Sequence, residues 1–409
     1  MSTTLQGLRI IEMVGLGPAP FAAMMLADHG AEVVRIHPAN KKADFPLLDT
    51  KYDVLARGRK SLAVDLRAPG GSELLLDLIA TADGLIEGYR PGVMERLGLS
   101  PEICLERNPK LVYGRMTGWG QTGPLAGRAG HDLNYLGLTG ALHAIGPADR
   151  PPAVPLNYVA DFGGGGMLLA FGMVSALLAV RRGGPGQVVD AAMTDGASLL
   201  SSMFWGFRAG GAWPNERGRN LLDGGAYFYA AYACADGRFL AVACVERRFH
   251  DIFVERLGLD PAEFTHDRRP ARWPVLRQKL ADLFMTRPRD HWAALFEGTD
   301  GCITPILDWD EAAEHPHAVQ RHAFLEIEGV KQPAPAPRFS ATPARTPVGA
   351  ARAGAHSIET LRAWGVSSER ISAALDQGQI VKPASNPARA KPKCFNYEGI
   401  SSKRAFRYY

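Results

Sequence analysis

Cysteine is scarce in this chain of 409 residues: Cys104, Cys234, Cys244, Cys302 and Cys394 are the only five. They are odd in number and widely scattered, with no Cys-x-x-Cys pair and no Cys/His cluster. That excludes a disulfide framework and a structural zinc site, and fits a reducing, cytoplasmic setting. The first residues lack a basic stretch followed by an apolar one, and apolar runs such as Met167–Val180 are too short to cross a bilayer, so neither a signal peptide nor a membrane span is expected. Strong charge of one sign is also missing. The net charge of +4 hides seven Lys and Arg against one Glu from Val381 onward, and the remaining chain carries 4 − 6 = −2. By charge the body is no nucleic-acid binder, and the Pro- and Ser-containing tail reads as a disordered, solvated segment.

What is present is a globular composition, 46% hydrophobic and 22% charged, in a chain long enough for two domains. Leu8–Met13 reads as a buried strand, Phe21–His29 as a helix and Ala31–Ile36 as a second strand. This β-α-β unit implies a parallel sheet with a right-handed crossover. The Gly15-Leu16-Gly17 turn invites a dinucleotide site. However, the third glycine is absent, Pro18 and Pro20 remove N–H donors, and Arg35 and His37 stand where an acidic residue belongs, so nicotinamide and flavin are not expected.

Further strands are expected at Ser61–Leu66, Gly84–Glu87, Leu111–Met116 and Gln187–Met193, the last leading into one long apolar helix through Phe207. Basic residues recur at strand ends (Arg35, Arg59, Lys60, Arg90, Arg96), where they serve either a phosphate-bearing ligand or the solvated surface. The organisation read from the sequence is an α/β domain over residues 1–207, a linker at 208–226, and a smaller α+β domain at 227–328 opening with a hairpin around Ala235-Asp236-Gly237. A return segment at 329–380 and the basic tail at 381–409 complete it.

Two turns carry the chemistry. His131 follows Gly130, which lets backbone approach a ligand, and histidine is a side-chain type suited to general-base work. Asp161, about thirty residues on, precedes four glycines and a helix; as an N-cap it would stabilise that helix by about 1 kcal/mol. A histidine and a carboxylate on two turns suit two-base proton transfer. The N–H groups of Gly163–Gly166 are candidates for an enolate-stabilising hole, or else the glycines serve close helix packing. Glu246 is either a partner for a histidine or a surface acid beside Arg247 and Arg248. Met167, Met173, Met193 and Met203 are either a deformable acyl surface or core.

The pair Gly130-His131-Asp132-Leu133-Asn134-Tyr135 and Asn157-x-x-x-Asp161-Phe162-Gly163-Gly164-Gly165 resembles the family III CoA-transferase superfamily, and within it the branch that racemises α-methylacyl-CoA thioesters. Leu8–Pro38, Arg57–Arg67, Glu87–Leu97, Gly186–Gly196 and Arg217–Val245 extend the likeness to roughly Leu5–Thr342. The resemblance implies a large domain with a Rossmann-like parallel sheet, a smaller α+β domain, and two chains interlocked as a homodimer. It implies His131 and Asp161 as the acid/base pair with Glu246 orienting the histidine. The CoA moiety would lie against Arg35, Arg59, Val64, Asp65, Leu66, Arg67, Arg90 and Arg96, and the thioester near Gly130, Asp132, Leu133, Asn134 and Tyr135. CoA then arrives as part of the substrate, with no other cofactor and no metal. Pro38 stands where a basic residue is usual, which would pass a phosphate contact to Lys41 or Lys42, and Tyr227 replaces a usual proline. The transferase branch is the rival: there the aspartate is a nucleophile that forms an acyl anhydride, and no histidine is needed. A non-catalytic acyl-CoA carrier is a third reading.

Overall fold

The computed structural model describes residues 2–39, 47–48, 50–266 and 270–380. Lys41, Lys42 and the basic tail lie outside the described residues. Contact density divides the chain into two units. The first comprises the residues up to Leu136, then Asn157–Leu200, then Phe324 onward; the second comprises Gly137–Leu156 and Ser201–Ala323.

In the first unit, β1 (Arg9–Met13), α1 (Pro18–Asp28), β2 (Glu32–Pro38), β3 (Lys60–Val64), α2 (Gly71–Ile79) and β4 (Gly84–Glu87) precede α3 (Val93–Arg96), α4 (Pro101–Arg107), β5 (Val112–Thr117) and α5 (Asp132–Leu138). A π-helix (Tyr158–Met167), α6 (Leu168–Arg181), β6 (Gln187–Ala192) and α7 (Met193–Leu200) follow. The six strands form one parallel sheet in the order β3-β2-β1-β4-β5-β6, so chain direction across the sheet reverses between β1 and β4. Because side chains alternate between faces, Ile11, Met13, Val34, Ile36, Leu62 and Leu85 enter one core with α2 residues such as Leu74, Leu75 and Leu78. Glu12 and Arg35 stand at the alternate positions and are buried as well.

The glycine-rich stretch does not start an α-helix. It forms the π-helix, a rare geometry that concentrates at functional sites. Its glycines lie where two other helices come closest. A Cβ on Gly164 would lie 2.7 Å from the Ala197 nitrogen, and one on Gly166 2.7 Å from the Phe21 ring. The reciprocal contact is tighter still: a Cβ on Gly196 would sit 1.8 Å from the Gly164 carbonyl oxygen. Backbone meets backbone there, so no side chain can yield. Gly196→Ala is therefore expected to lower unfolding free energy by about 1–3 kcal/mol, read from urea unfolding of the purified variant.

The π-helix and α6 together run for 24 residues, Tyr158–Arg181, and among the described residues this is the one helix long and apolar enough to cross a membrane. It exceeds the run apparent in the sequence because the glycine segment joins it. Beyond α7 the expected single helix breaks at Ser201, and α8 (Ser202–Ala209) follows as a separate helix.

The second unit contains the antiparallel sheet β7 (Tyr229–Ala233), β8 (Phe239–Ala243) and β9 (Ile303–Ile306), with α9 (Arg247–Leu257), α10 (Trp273–Phe284) and α11 (Arg289–Leu295). Phe228, Tyr232, Leu240, Phe253, Leu280 and Phe284 are among its core residues. Two short helices, α12 (Trp309–Glu314) and α13 (Pro316–Gln320), precede the return to the first unit. There the chain forms the hairpin β10 (Phe324–Ile327) and β11 (Val330–Pro333), then α14 (Ser357–Ala363) and α15 (Ser368–Asp376). This last segment closes the outer edge of β3. The Ser61 N–H donates to His356 Nδ1 at 3.1 Å, the Ala63 N–H to Ser357 Oγ at 3.2 Å, and Val64 bridges Ile380. An edge strand so covered offers no template for another chain.

Candidate active site

His131 is presented by a loop held between aromatic rings. A Cβ on Gly118 would come within 2.1 Å of the Tyr135 ring and one on Gly130 within 2.7 Å, so both positions need glycine for close approach. Trp119 meets Tyr135 edge to face at 4.7 Å between ring centroids, and the Tyr135 hydroxyl donates to the Gly130 carbonyl. His131 starts α5: its carbonyl accepts from the Asn134 N–H at 2.8 Å, and its own N–H donates to Asn134 Oδ1 at 3.1 Å. The side chain is exposed.

Asp161 sits in the first turn of the π-helix. It is not the N-cap expected from the sequence; Asn157 occupies that position, without a side-chain cap. The acceptor comes from another segment. Asp132 Oδ1 receives the N–H groups of Ala160 at 2.8 Å and Asp161 at 2.7 Å. The residue after His131 thus ties α5 to the element bearing Asp161. Asn157 Nδ2 donates to Asp161 Oδ2 at 3.2 Å. Gly17, at φ +68°, closes the other side, where a Cβ would lie 3.3 Å from the same oxygen.

Burial raises the Asp161 pKa above its usual value; the Asn157 hydrogen bond opposes this, the Asp132 charge adds to it, and His131 lowers it. The carboxyl is therefore more readily protonated than a solvent-exposed aspartate. Asn157 was legible in the sequence as the residue one helical turn before Asp161. The roles of Gly17 and of the Asp132 carboxylate had no local signal.

Other expected contacts divide by exposure. Arg67 and Arg96 are exposed and Arg90 is half-buried. Asp65 is half-buried, with Oδ1 accepting the Arg67 N–H at 3.0 Å. Leu66 packs against the core, Val64 is buried, and Leu133 and Asn134 are exposed.

Arg35 and Arg59 depart from expectation. Neither guanidinium stands free at a strand end: both are buried and held by Glu12, Arg59 Nε at 2.8 Å from Oε2 and Arg35 Nε at 3.7 Å from Oε1. Asp53 takes a second Arg35 nitrogen at 3.0 Å, and the Pro20 and Leu55 carbonyls accept from Arg59. Desolvation explains the commitment, since a buried guanidinium needs a counter-charge.

Glu246, exposed in the second unit, precedes α9 and accepts the His250 N–H at 3.0 Å through its carbonyl. Met173 and Met193 are core, whereas Met167 and Met203 are exposed. Gly163–Gly166 serve close packing inside the π-helix in place of an open row of donors. Among the described residues no group of three or more His, Cys, Asp or Glu is arranged to hold a metal ion.

Residues 5–357 match the family described as CoA-transferase family III. The α-methylacyl-CoA racemase of Mus musculus is 44% identical over 373 residues, spanning 90% of this chain and 95% of that one. Its Homo sapiens counterpart is 42% identical over 375 residues, with the same 90% and 95% coverage. The acetyl-CoA:oxalate CoA-transferase of Acetobacter aceti is 29% identical over 342 residues, 80% of this chain and 87% of the relative. Among solved structures, a CAIB/BAIF family protein from Brucella suis superposes with a TM-score of 0.76 at 25% identity, covering 89% of this chain and all of that one.

Proposed function

Since the chain belongs to CoA-transferase family III, we propose that it is an isomerase, an α-methylacyl-CoA racemase that inverts the α-carbon of 2-methyl-branched acyl-CoA thioesters. The racemase relatives match far better than the transferase relative, 44% against 29% identity. The geometric observation behind the mechanism is the pair of hydrogen bonds that Asp132 accepts, which links the His131 and Asp161 segments.

In this reading one base takes the α-proton and the electron pair of the C–H bond moves into the thioester as a planar enolate. The other base then delivers a proton to the opposite face, and the carbonyl re-forms. Overall one proton is given up and one returned, so no second substrate and no redox group is consumed. His131 and Asp161 are the two bases, and the raised Asp161 pKa suits a carboxyl that must both donate and accept. Arg67, Arg90 and Arg96 are available to the CoA phosphates, and Asp65 and the backbone of Val64 and Leu66 flank the nucleotide. Gly130, Leu133, Asn134 and Tyr135 line the thioester.

The working form in this reading is a cytoplasmic homodimer. Met167, Phe171, Val174 and Leu178 recur along one face of the Tyr158–Arg181 helix and are exposed, Phe171 at 72%. A second copy covering that stripe accounts for it without a bilayer.

The test uses a single-epimer 2-methylacyl-CoA in deuterium oxide. Deuterium at C2 accompanied by loss of epimeric purity is the expected result. CoA passing to an added free carboxylate, with no label at C2, would overturn racemisation and make Asp161 a transferase nucleophile. Binding with neither reaction would leave an acyl-CoA carrier.

A further inference from the structure

Asp132 belongs to the segment expected to face the thioester, yet its side chain turns the other way. It is 5% exposed, and Oδ1 alone makes both bonds to the Ala160 and Asp161 N–H groups. Oδ2 is buried and makes no hydrogen bond among the described residues. For capping alone this is a poor choice. A serine or asparagine would satisfy the same N–H groups without burying a half-satisfied charge, which is costly. The retained charge calls for a further reason, and what lies beside it is Asp161.

We propose that Asp132 is a positioning residue for Asp161, holding its backbone in register with His131 and setting a second carboxylate beside its own. The inference rests on the reading of His131 and Asp161 as opposed bases. Its physical core is that two functional side chains brought by segments about thirty residues apart need a rigid link. Asp132 is adjacent in the chain to one of them and hydrogen-bonded to the backbone of the other.

The elements packed against the π-helix carry other charges, but each is occupied or remote in effect. Asp28 on α1 is paired with Arg57, Arg115 on β5 with Glu87 and Glu95, and Arg181 on α6 with Asp83. Asp190 on β6 accepts the Gln121 N–H, and Asp195 on α7 is exposed. The charged groups that act on Asp161 are Asp132 and His131. A second carboxylate at this range favours the neutral form of the first.

Asp132→Asn and Asp132→Ala separate the two roles. The asparagine keeps an acceptor for both N–H groups and removes the charge; the alanine removes both. Asp132→Asn is expected to keep or raise its thermal midpoint and to keep its KM, while the acid limb of the pH–rate profile for the epimer served by Asp161 moves down by about half a unit to one unit. Asp132→Ala is expected to lose about 100-fold in kcat with a KM within about threefold of the parent.

An activity-free readout accompanies these: carbodiimide labelling of the Asp161 carboxyl against pH, located by mass spectrometry. Its midpoint should fall in Asp132→Asn whether or not the protein racemises. If the parent catalyses no α-proton exchange but the labelling midpoint moves, the racemase reading fails and the coupling of Asp132 to Asp161 stands. An unmoved profile and an unmoved labelling midpoint in Asp132→Asn would overturn the proposal. So would an Asp132→Ala variant whose loss of activity only tracks its loss of folded protein.

Discussion

His131→Ala and Asp161→Ala should each lower racemisation by about 10²–10⁴-fold, the usual contribution of a positioned acid or base. The two variants should nevertheless differ. With one base gone, the other still removes the proton from the epimer it faces and, after exchange with solvent, returns a deuteron to the same face. Each variant is therefore expected to exchange deuterium into one epimer without inverting it, and the retained epimer should be opposite in the two. Loss of exchange for both epimers in both variants would defeat the assignment of one base to each face.

The pH dependence adds a sign. Because burial raises the Asp161 pKa, the rate for the epimer that needs Asp161 ionised falls, as pH drops, earlier than an exposed aspartate would allow. Stability runs the other way. A carboxyl whose folded pKa lies above its unfolded one contributes stability below the unfolded value, and that contribution is lost as pH rises through the folded one. At neutral pH ionised Asp161 thus works against folding. Asp161→Asn should leave the thermal midpoint at neutral pH unchanged or raised while racemisation collapses, the pattern of a group kept for chemistry at a cost in stability.

Glu12→Ala is expected to lower unfolding free energy by about 3–5 kcal/mol, because it leaves two buried guanidiniums without their shared counter-charge. Glu12 is fully buried, with Arg35 and Arg59 almost so. Arg59 is already disfavoured in its charged form by desolvation and by Arg35, with Glu12 and Asp53 opposing. A loss below about 1 kcal/mol in urea unfolding would mean that water or Asp53 replaces Glu12 and that the pairs are dispensable. The effect should reach the site as well. Arg35 donates to the Gly15 carbonyl at 3.4 Å, in the loop whose Gly17 abuts Asp161. Arg35 therefore stands behind the Gly15–Gly17 loop from inside the sheet.

That pair of arginines also marks where sequence reasoning stopped. Strands buried on both faces, such as Arg9–Met13 and Gly84–Glu87, have apolar centres, Ile10-Ile11 and Leu85-Ile86, and were legible with ends within a residue or two. The hairpin of β7 and β8 declared itself through Asp236-Gly237. That the His131 and Asp161 segments meet in space, through Asp132, had only a histidine after glycine and a carboxylate before a glycine run as local signals. Burial of Arg35 was not legible, since its partners Glu12 and Asp53 lie far from it in the chain and a charge at a strand end looks alike whether solvated or paired. The helix-start logic applied to Asp161 failed for a similar reason: its N–H finds an acceptor 29 positions upstream, on Asp132. The break at Ser201 carries no proline or glycine, so periodicity ran through it.

The closure of β3 has a bearing on how the protein is made. All six sheet strands have left the ribosome once Ala192 has emerged, but His356, Ser357 and Ile380, which cover the outer strand, follow only after Ser201–Ala323 has been made. Between those moments lies the longer part of the second unit, Ser201–Ala323, and the nascent sheet waits with one N–H row open. A growing chain in that condition can recruit another strand, its own or a neighbour's. Termination even thirty residues before Ile380 would release a polypeptide carrying both the His131 and the Asp161 turns and still unable to seal its sheet. The segment from His356 to Ile380 thus completes the sheet, quite apart from catalysis.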